Sequence, residues 1–299
     1  MATFLAVWDF NVFIALNLAG AAAWYAWASR RVRQRDPRSR WPVANAACFY
    51  SGLALLAAAY LGPLAAWSHT LFWVHMTQHL LVMMAAAPLL VLGAPISLAF
   101  GASSDETRRA LIVPILRSRA VRVLTNPVLT WVLFASVLVG THFTGFYDWA
   151  LTNHDAGMFI EQPLFLVTAL LYYFPILGSN LQAHRPSPAT RLISMSLMMI
   201  PEAIVGAVIY FASVVLYPSF GPDRPFGLDP LGDQQLAGAL MWALVMIVDS
   251  AWMMVVAAEW FTSEERRSRR VDAMISAEAE NQAEAEEHAQ ARAQEPSVG

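Results

Sequence analysis

The sequence predicts an all-α polytopic membrane protein, a bundle of seven transmembrane helices. Of its 299 residues, 57% are hydrophobic and only 14% are charged, whereas soluble domains carry about 25% charged residues. The apolar residues are gathered into seven runs, and roughly 20 consecutive apolar residues are enough to cross a bilayer. The composition therefore excludes a soluble globular domain and makes the lipid bilayer the first expected partner.

The seven apolar runs define the predicted helices in chain order. Glycine and proline residues such as Gly62-Pro63 and Gly221-Pro222 lie between the runs, where helices are expected to end. The predicted spans are approximately Phe4–Ser29, Val43–Trp67, Thr70–Gly93, Val128–Ala150, Asp155–Gly178, Leu192–Tyr217 and Gln234–Phe261.

The basic residues, all of them arginines, are concentrated in alternate connections. Six arginines lie between the first and second runs, five between the third and fourth, two between the fifth and sixth, and four soon after the seventh. The other connections contain only Arg224. Arginine-rich loops remain in the cytoplasm. The pattern therefore predicts an outside N-terminus and a cytoplasmic C-terminus.

Two polar segments flank this pattern. Within residues 97–126, arginines alternate with apolar residues such as Leu111 and Ile115, which predicts a cytoplasmic helix at the membrane surface. Residues 263–299 begin basic and become rich in Ala, Glu and Gln without an apolar stripe, so a solvated, frayed helix or disorder is expected. The predicted division is a transmembrane domain over 1–262 and a cytoplasmic tail over 263–299.

With this orientation, five histidines fall near the outer face of the membrane. His75 and His79 lie roughly 8 and 14 Å below the outer end of the third span, and His142 lies about 9 Å below the outer end of the fourth. His154 begins the fifth span at the surface. His69 lies just outside the third span, where hydrogen bonding at the interface is its ordinary role.

Two helical faces present donor atoms in this layer. His75 and His79 share a face because residues at i and i+4 stack on a helix, and Met83 continues that face. On the fifth span, Met158 and Glu161 follow His154. Imidazole and thioether donors together suit copper, especially Cu(I). The predicted metal ligands are His75, His79, His142, His154 and Met158, with Met83, Glu161, His69 and Asp249 in support.

Three acidic residues lie within predicted spans. Burying a carboxyl group in the membrane costs free energy, so such a group often has a functional role. Glu161 is favoured as functional because it shares the face of His154 and Met158. Glu202 and Asp249 lie nearer the middle of the membrane, and helix packing through hydrogen bonds explains them as well as function does. The aromatic residues at span ends fit an ordinary interfacial belt; they are Trp8, Trp67, Trp73, Tyr147 and Trp149.

The third span carries a recognisable sequence. The run His75-Met-Thr-Gln-His-Leu-Leu, followed by Ala87-Pro-Leu-Leu-Val-Leu-Gly-Ala-Pro95, resembles the signature of the multi-spanning CtaG-like cytochrome c oxidase assembly family. The segments Phe165–Gly178 and Asp233–Trp242 are also similar to the family pattern, and the likeness extends to about Phe261. The matching residues are His75, His79, Pro88, Gly93, Pro95, Asp233, Gln234 and Trp242.

The resemblance implies a seven-helix inner-membrane protein that helps to build a haem-copper oxidase by supplying copper. The oxidase subunit would be its partner, and the two histidines of the signature would be copper ligands. A site without thiolates would release its metal more easily, and Cys48 is the single cysteine.

Other functional classes remain open at this stage. His79 and His142 at similar depth could ligate haem in an electron-transfer protein. Glu161, Glu202 and Asp249 could instead serve a copper or proton-coupled transporter, although the inner half offers few polar residues. The sequence shows no nucleophile–base pair that would indicate an enzyme, and it shows no basic patch that would indicate nucleic-acid binding. Homo-oligomerisation is left open.

Overall fold

The structure, a computed structural model, describes residues 4–35, 41–153, 157–178, 185–222 and 224–294. The chain is 85% helical, and these ranges contain no strand. It divides into two compact units, Met1–Met253 and Met254–Gly299. The predicted all-α fold is confirmed, while the boundary at residue 262 and the orientation of the termini stay predictions.

Six helices are long and apolar enough to cross a membrane. A bent pair, whose two parts meet at 71°, makes a seventh candidate span within the described residues. The spans are α1 (Val12–Arg35), α2 (Val43–Tyr60), α3 (Phe72–Ala102), the bent pair α4 (Pro127–Phe143) and α5 (Phe146–Thr152), α6 (Phe159–Leu177), α7 (Pro188–Phe211) and α8 (Pro230–Gln294). The protein is therefore a multi-pass membrane protein.

Shorter elements connect these spans. A short helix, Pro63–Trp67, follows α2, and four helical turns lie between α3 and α4. Those turns are Asp105–Thr107, the π-helical Arg108–Ile112, Val113–Leu116 and Arg119–Leu124. Three-residue 3₁₀ turns lie at Phe4–Ala6, Pro218–Phe220 and Pro225–Gly227. The segment predicted as an interfacial helix is thus helical, and its position at a membrane surface stays a prediction.

The first span begins eight residues after its predicted start, and the second ends seven residues before its predicted end. Helix α1 begins at Val12 rather than Phe4, because the preceding backbone pairs with the chain after α2. Asp9 and Gly62 exchange backbone hydrogen bonds of 3.4 and 2.7 Å. Gly62 adopts φ +110°, which only glycine adopts readily, and this turn ends α2 earlier than its apolar pattern suggests.

Helix α3 is interrupted twice. A π-helical turn over Leu81–Ala86 follows the turn that carries the two histidines. Near the other end, Ala94 adopts φ +51° and Pro95 starts the final turns. Gly93 packs there against Phe49: a Cβ atom added to Gly93 would lie only 2.7 Å from the Phe49 Cβ. The Gly93 carbonyl accepts a hydrogen bond of 2.8 Å from the Tyr25 hydroxyl. The Gly-Ala-Pro motif thus forms a bend fastened to α1 and α2.

The second unit, Met254–Gly299, is helical as far as Gln294. Val271, Met274 and Ile275 are exposed on it, and Arg269 pairs with Glu265 at 2.6 Å along the same helix. Residues 263–294 are thus helical, and residues 263–278 are exposed on this helix.

Helices α7 and α8 meet backbone to backbone. A Cβ atom added to Gly238 would lie 2.6 Å from the Tyr210 nitrogen and 2.9 Å from the Gly206 oxygen. One added to Gly206 would lie 3.0 Å from the Trp242 nitrogen. Small residues permit such close helix contacts in membranes, where hydrophobic burial does not drive association.

We therefore expect Gly238→Ala to force α7 and α8 apart. Overpacking typically costs about 1–3 kcal/mol, so the thermal unfolding midpoint in detergent should fall measurably. Gly140→Ala in α4 is the matched control, because nothing lies within 4 Å of its added Cβ. Equal midpoints for the two variants would contradict the close contact.

Candidate metal centre

The first turns of α3 bring two imidazoles together. His75 and His79 are one helical turn apart, as their spacing predicts, and their Nε2 atoms lie 2.8 Å from each other. The two residues are only 3% and 7% exposed. The predicted pairing of these histidines is thus present in the geometry and lies away from solvent.

Glu161 completes a group of three. It ends a π-helical turn, Gly157–Glu161, at the start of α6, and it is 4% exposed. Its Oε1 atom lies 3.2 Å from the Nε2 of His75 and 3.3 Å from that of His79. Within the part of the chain that the structure describes, this is the one group of at least three His, Cys, Asp or Glu side chains with potential ligand atoms within 4.8 Å.

The triangle has nearly the dimensions of a cation site. Ligand atoms about 2.0–2.1 Å from a shared metal lie roughly 3.3–3.6 Å apart. The two distances to Glu161, 3.2 and 3.3 Å, are close to this range, whereas the 2.8 Å between the two imidazole nitrogens must increase by roughly 0.5–0.8 Å. Glu161 Oε1 receives no well-directed hydrogen bond although it is buried. Buried polar atoms are normally satisfied, and a shared cation would satisfy all three atoms at once.

Asp233 holds the helix that carries the histidines. Its two carboxylate oxygens each accept a hydrogen bond of 2.9 Å, from the backbone nitrogens of Phe72 and Trp73 at the start of α3. Arg224 donates from Nε to the same carboxylate at 2.6 Å, and both side chains are almost fully buried. A carboxylate at a helix N-terminus satisfies the first N–H groups, so α8 fixes the position of α3.

Gln78 adds a second attachment on the same turns of α3. Its Nε2 donates to the Ala59 carbonyl of α2 at 2.8 Å. The histidine-bearing turns are therefore tied to α2 as well as to α8.

Aromatic rings enclose the imidazoles. Phe165 lies 4.3 Å from the His79 ring centre, and Phe220 lies 5.7 Å from that of His75. Tyr147 lies 5.4 and 5.9 Å from the two imidazoles and is 1% exposed. The prediction that Tyr147 belongs to the interfacial belt is therefore wrong, because the bend between α4 and α5 turns this residue inward.

His142 is buried close to the group but satisfied separately. Its Nδ1 lies 2.6 Å from the Leu138 carbonyl, an arrangement in which Nδ1–H donates. Its Nε2 lies 3.4 Å from the Tyr147 hydroxyl. His142 and His79 line one cavity, yet His142 is not among the three grouped residues. Its ligand role stays a prediction.

The other predicted ligands and supporting residues occupy different places. Met83 is buried and lines the cavity that His79 and His142 share. His69 is exposed and lines a second cavity beside His75. His154 lies outside the described residues, as does the side chain of Met158.

Glu202 and Asp249 form a separate buried pair. Each is at most 3% exposed, the two carboxyl groups lie close enough to interact electrostatically, and the Tyr173 hydroxyl donates to Asp249 at 3.4 Å. Helix packing accounts for these contacts, and a role for Asp249 in the metal centre stays a prediction.

The chain is similar to uncharacterized proteins from mycobacteria. One from Mycobacterium bovis and one from Mycobacterium tuberculosis are each 26% identical over 280 residues, which cover 91% of this chain and 42% of the relative. One from Mycobacterium leprae is 24% identical over 90% of this chain and 42% of its own length. The chain thus spans less than half the length of these relatives, and no solved structure matches it.

A family model covers most of the chain. The model described as cytochrome c oxidase caa3 assembly factor (Caa3_CtaG) matches residues 23–263. This range includes all three residues of the candidate metal centre and Asp233, which positions it. The chain belongs to the cytochrome c oxidase caa3 assembly factor family.

Proposed function

We propose that this chain helps to assemble a haem-copper cytochrome c oxidase in a bacterial inner membrane by binding one copper ion between His75, His79 and Glu161 and passing it on. The observation that carries the proposal is the convergence of three buried ligand atoms from two helices. Family membership supplies the oxidase as the partner. The role is one of delivery, not catalysis.

The donor set suits a transferable ion. Imidazole nitrogens bind copper well, but they also bind zinc, iron and nickel, so family membership is what favours copper. One carboxylate balances the charge of Cu(I), which reduces the cost of holding an ion among apolar helices. The single cysteine, Cys48, lies in α2 and is not part of the group. A site without thiolate would hold copper less tightly than a cysteine cluster.

The space between His79 and His142, the pair predicted as alternative haem ligands, is too small for a haem. The cavity that His79 and His142 share has a volume of about 30 Å³. This is room for about one water molecule, whereas sites for larger ligands enclose about 300–1,000 Å³. Axial ligation by these two histidines would therefore need a rearrangement of α3 and α4.

Copper titration of the detergent-solubilised protein, read by X-ray absorption, tests the proposal. We expect one copper per chain, surrounded by two imidazole nitrogens and a carboxylate oxygen. Sulfur neighbours would contradict this ligand set and would favour Met83. Failure to bind copper, or displacement of copper by equimolar zinc, would overturn the copper assignment.

A further inference from the structure

A small polar cavity adjoins the candidate metal centre. Its volume is about 40 Å³, and His75 and Glu161 form part of its wall. Asp9 and His69, which also line it, are exposed at the surface. Its other polar lining residues include Tyr60, Ser68, Gln78 and Gln162. One cavity thus touches both the buried ligand atoms and solvent-exposed side chains.

The backbone that carries Asp9 is held in place over this cavity. Asp9 pairs with Gly62 through two backbone hydrogen bonds, and the Trp8 ring lies 3.1 Å from where a Cβ on Gly62 would be. Trp67 donates from its indole to the Phe4 carbonyl at 3.0 Å. These contacts fix the segment 4–11 across the short helix Pro63–Trp67 and keep the Asp9 carboxylate at the cavity mouth.

The opposite side of the centre offers a less suitable way in. The cavity beyond His79 is lined mainly by apolar and thioether side chains, among them Met76, Met83, Leu138 and Val245. A cation that loses its hydration there meets few oxygen atoms in the lining, those of Tyr147 and Glu202, and such a loss of hydration is costly. The cavity below Asp9 provides amide, hydroxyl and carboxylate groups along its wall.

We infer that the cavity between Asp9 and His75 is the passage through which copper enters and leaves the centre, with the Asp9 carboxylate as the first attracting group. This inference rests on the proposed copper site. A fixed negative charge at the mouth of a low-dielectric cleft raises the arrival rate of cations about 10- to 1,000-fold. The passage determines rates, whereas the three ligands determine affinity.

Stopped-flow loading with Cu(I), followed by removal with excess chelator, separates these roles. We expect Asp9→Asn to slow loading by about 10-fold and to remove most of its dependence on salt, while the copper content at saturation stays at one per chain. Asp148→Asn is the control, because this half-buried carboxylate accepts a hydrogen bond from Ser219 and does not line the cavity.

A steric test complements the change of charge. In a Cys48→Ser background, a bulky thiol reagent attached at Asp9→Cys should slow loading and removal by the same factor. The same reagent at Ser213→Cys should not, because Ser213 is exposed and does not line the cavity. Full copper binding at unchanged rates in both Asp9 variants would overturn the passage and leave the metal centre intact. Failure of the unaltered protein to bind copper would overturn both.

Discussion

Replacement of Asp233 by alanine should destabilise the protein by about 3–5 kcal/mol, the usual cost of removing one partner from a buried ion pair. The Asp233 side chain is 0% exposed and that of Arg224 is 2% exposed. The substitution leaves the Arg224 guanidinium buried without its carboxylate and leaves the first N–H groups of α3 at Phe72 and Trp73 without their acceptors.

The measurement is the thermal or denaturant midpoint of the detergent-solubilised protein. Asp233→Asn should cost less, because an amide oxygen can still accept one of the backbone hydrogen bonds. Asp229→Ala is the matched control: its carboxylate is exposed and accepts a 3.3 Å bond from the Gly232 nitrogen, so a loss of about 1 kcal/mol is expected. Similar losses in the Asp233→Ala and Asp229→Ala variants would contradict the proposed buried ion pair.

A double-mutant cycle with Arg224→Ala isolates the pair itself. Removing both charges leaves no unpaired ion, so the double variant should be more stable than the sum of the single losses predicts. The remaining deficit of that variant combines the lost capping of α3 by Asp233 with the lost hydrogen bonds from Arg224 to the Phe220 and Gly221 carbonyls. Strict additivity would show that the two side chains do not act together.

The sequence predicts the apolar spans and the proximity of His75 and His79 because both depend on local patterns. Apolar runs determine which segments cross the membrane, and the i,i+4 spacing alone places His75 beside His79. Glu161 was favoured from its helical face, and it does reach these histidines. These predictions need only the geometry of single helices.

Properties that depend on contacts between helices were not predictable in this way. Depth along the helix axis placed His142 level with His79, but depth does not determine the direction of a side chain, and a local bond to the Leu138 carbonyl satisfies its Nδ1. The bend after α4 turned Tyr147 inward, against its assignment to the interface. One feature of the sequence did point to a contact between helices. Arg224 is the single arginine in the connections predicted to lie on the outer side of the membrane, and its ion pair with Asp233 explains this exception.

Substitution of the three grouped residues should have the largest effect on copper binding. Mutation of residues outside the first coordination sphere typically costs about 10- to 100-fold in metal affinity, and the loss of a direct ligand should cost more. We expect His75→Ala with His79→Ala to abolish binding in the titration, and Glu161→Gln to weaken it by more than about 100-fold, because the amide removes the negative charge while keeping nearly the same shape.

His142→Ala is the informative comparison, because it distinguishes two ligand sets. If a layer of histidines at equal depth binds the ion, this variant should lose affinity as severely as His79→Ala. If the triangle of His75, His79 and Glu161 binds it, His142→Ala should retain one copper per chain with an unchanged X-ray absorption spectrum, since His142 is not part of the triangle and its Nε2 faces the Tyr147 hydroxyl at 3.4 Å. The convergence on Glu161, 3.2 and 3.3 Å from the two imidazoles, favours the second result.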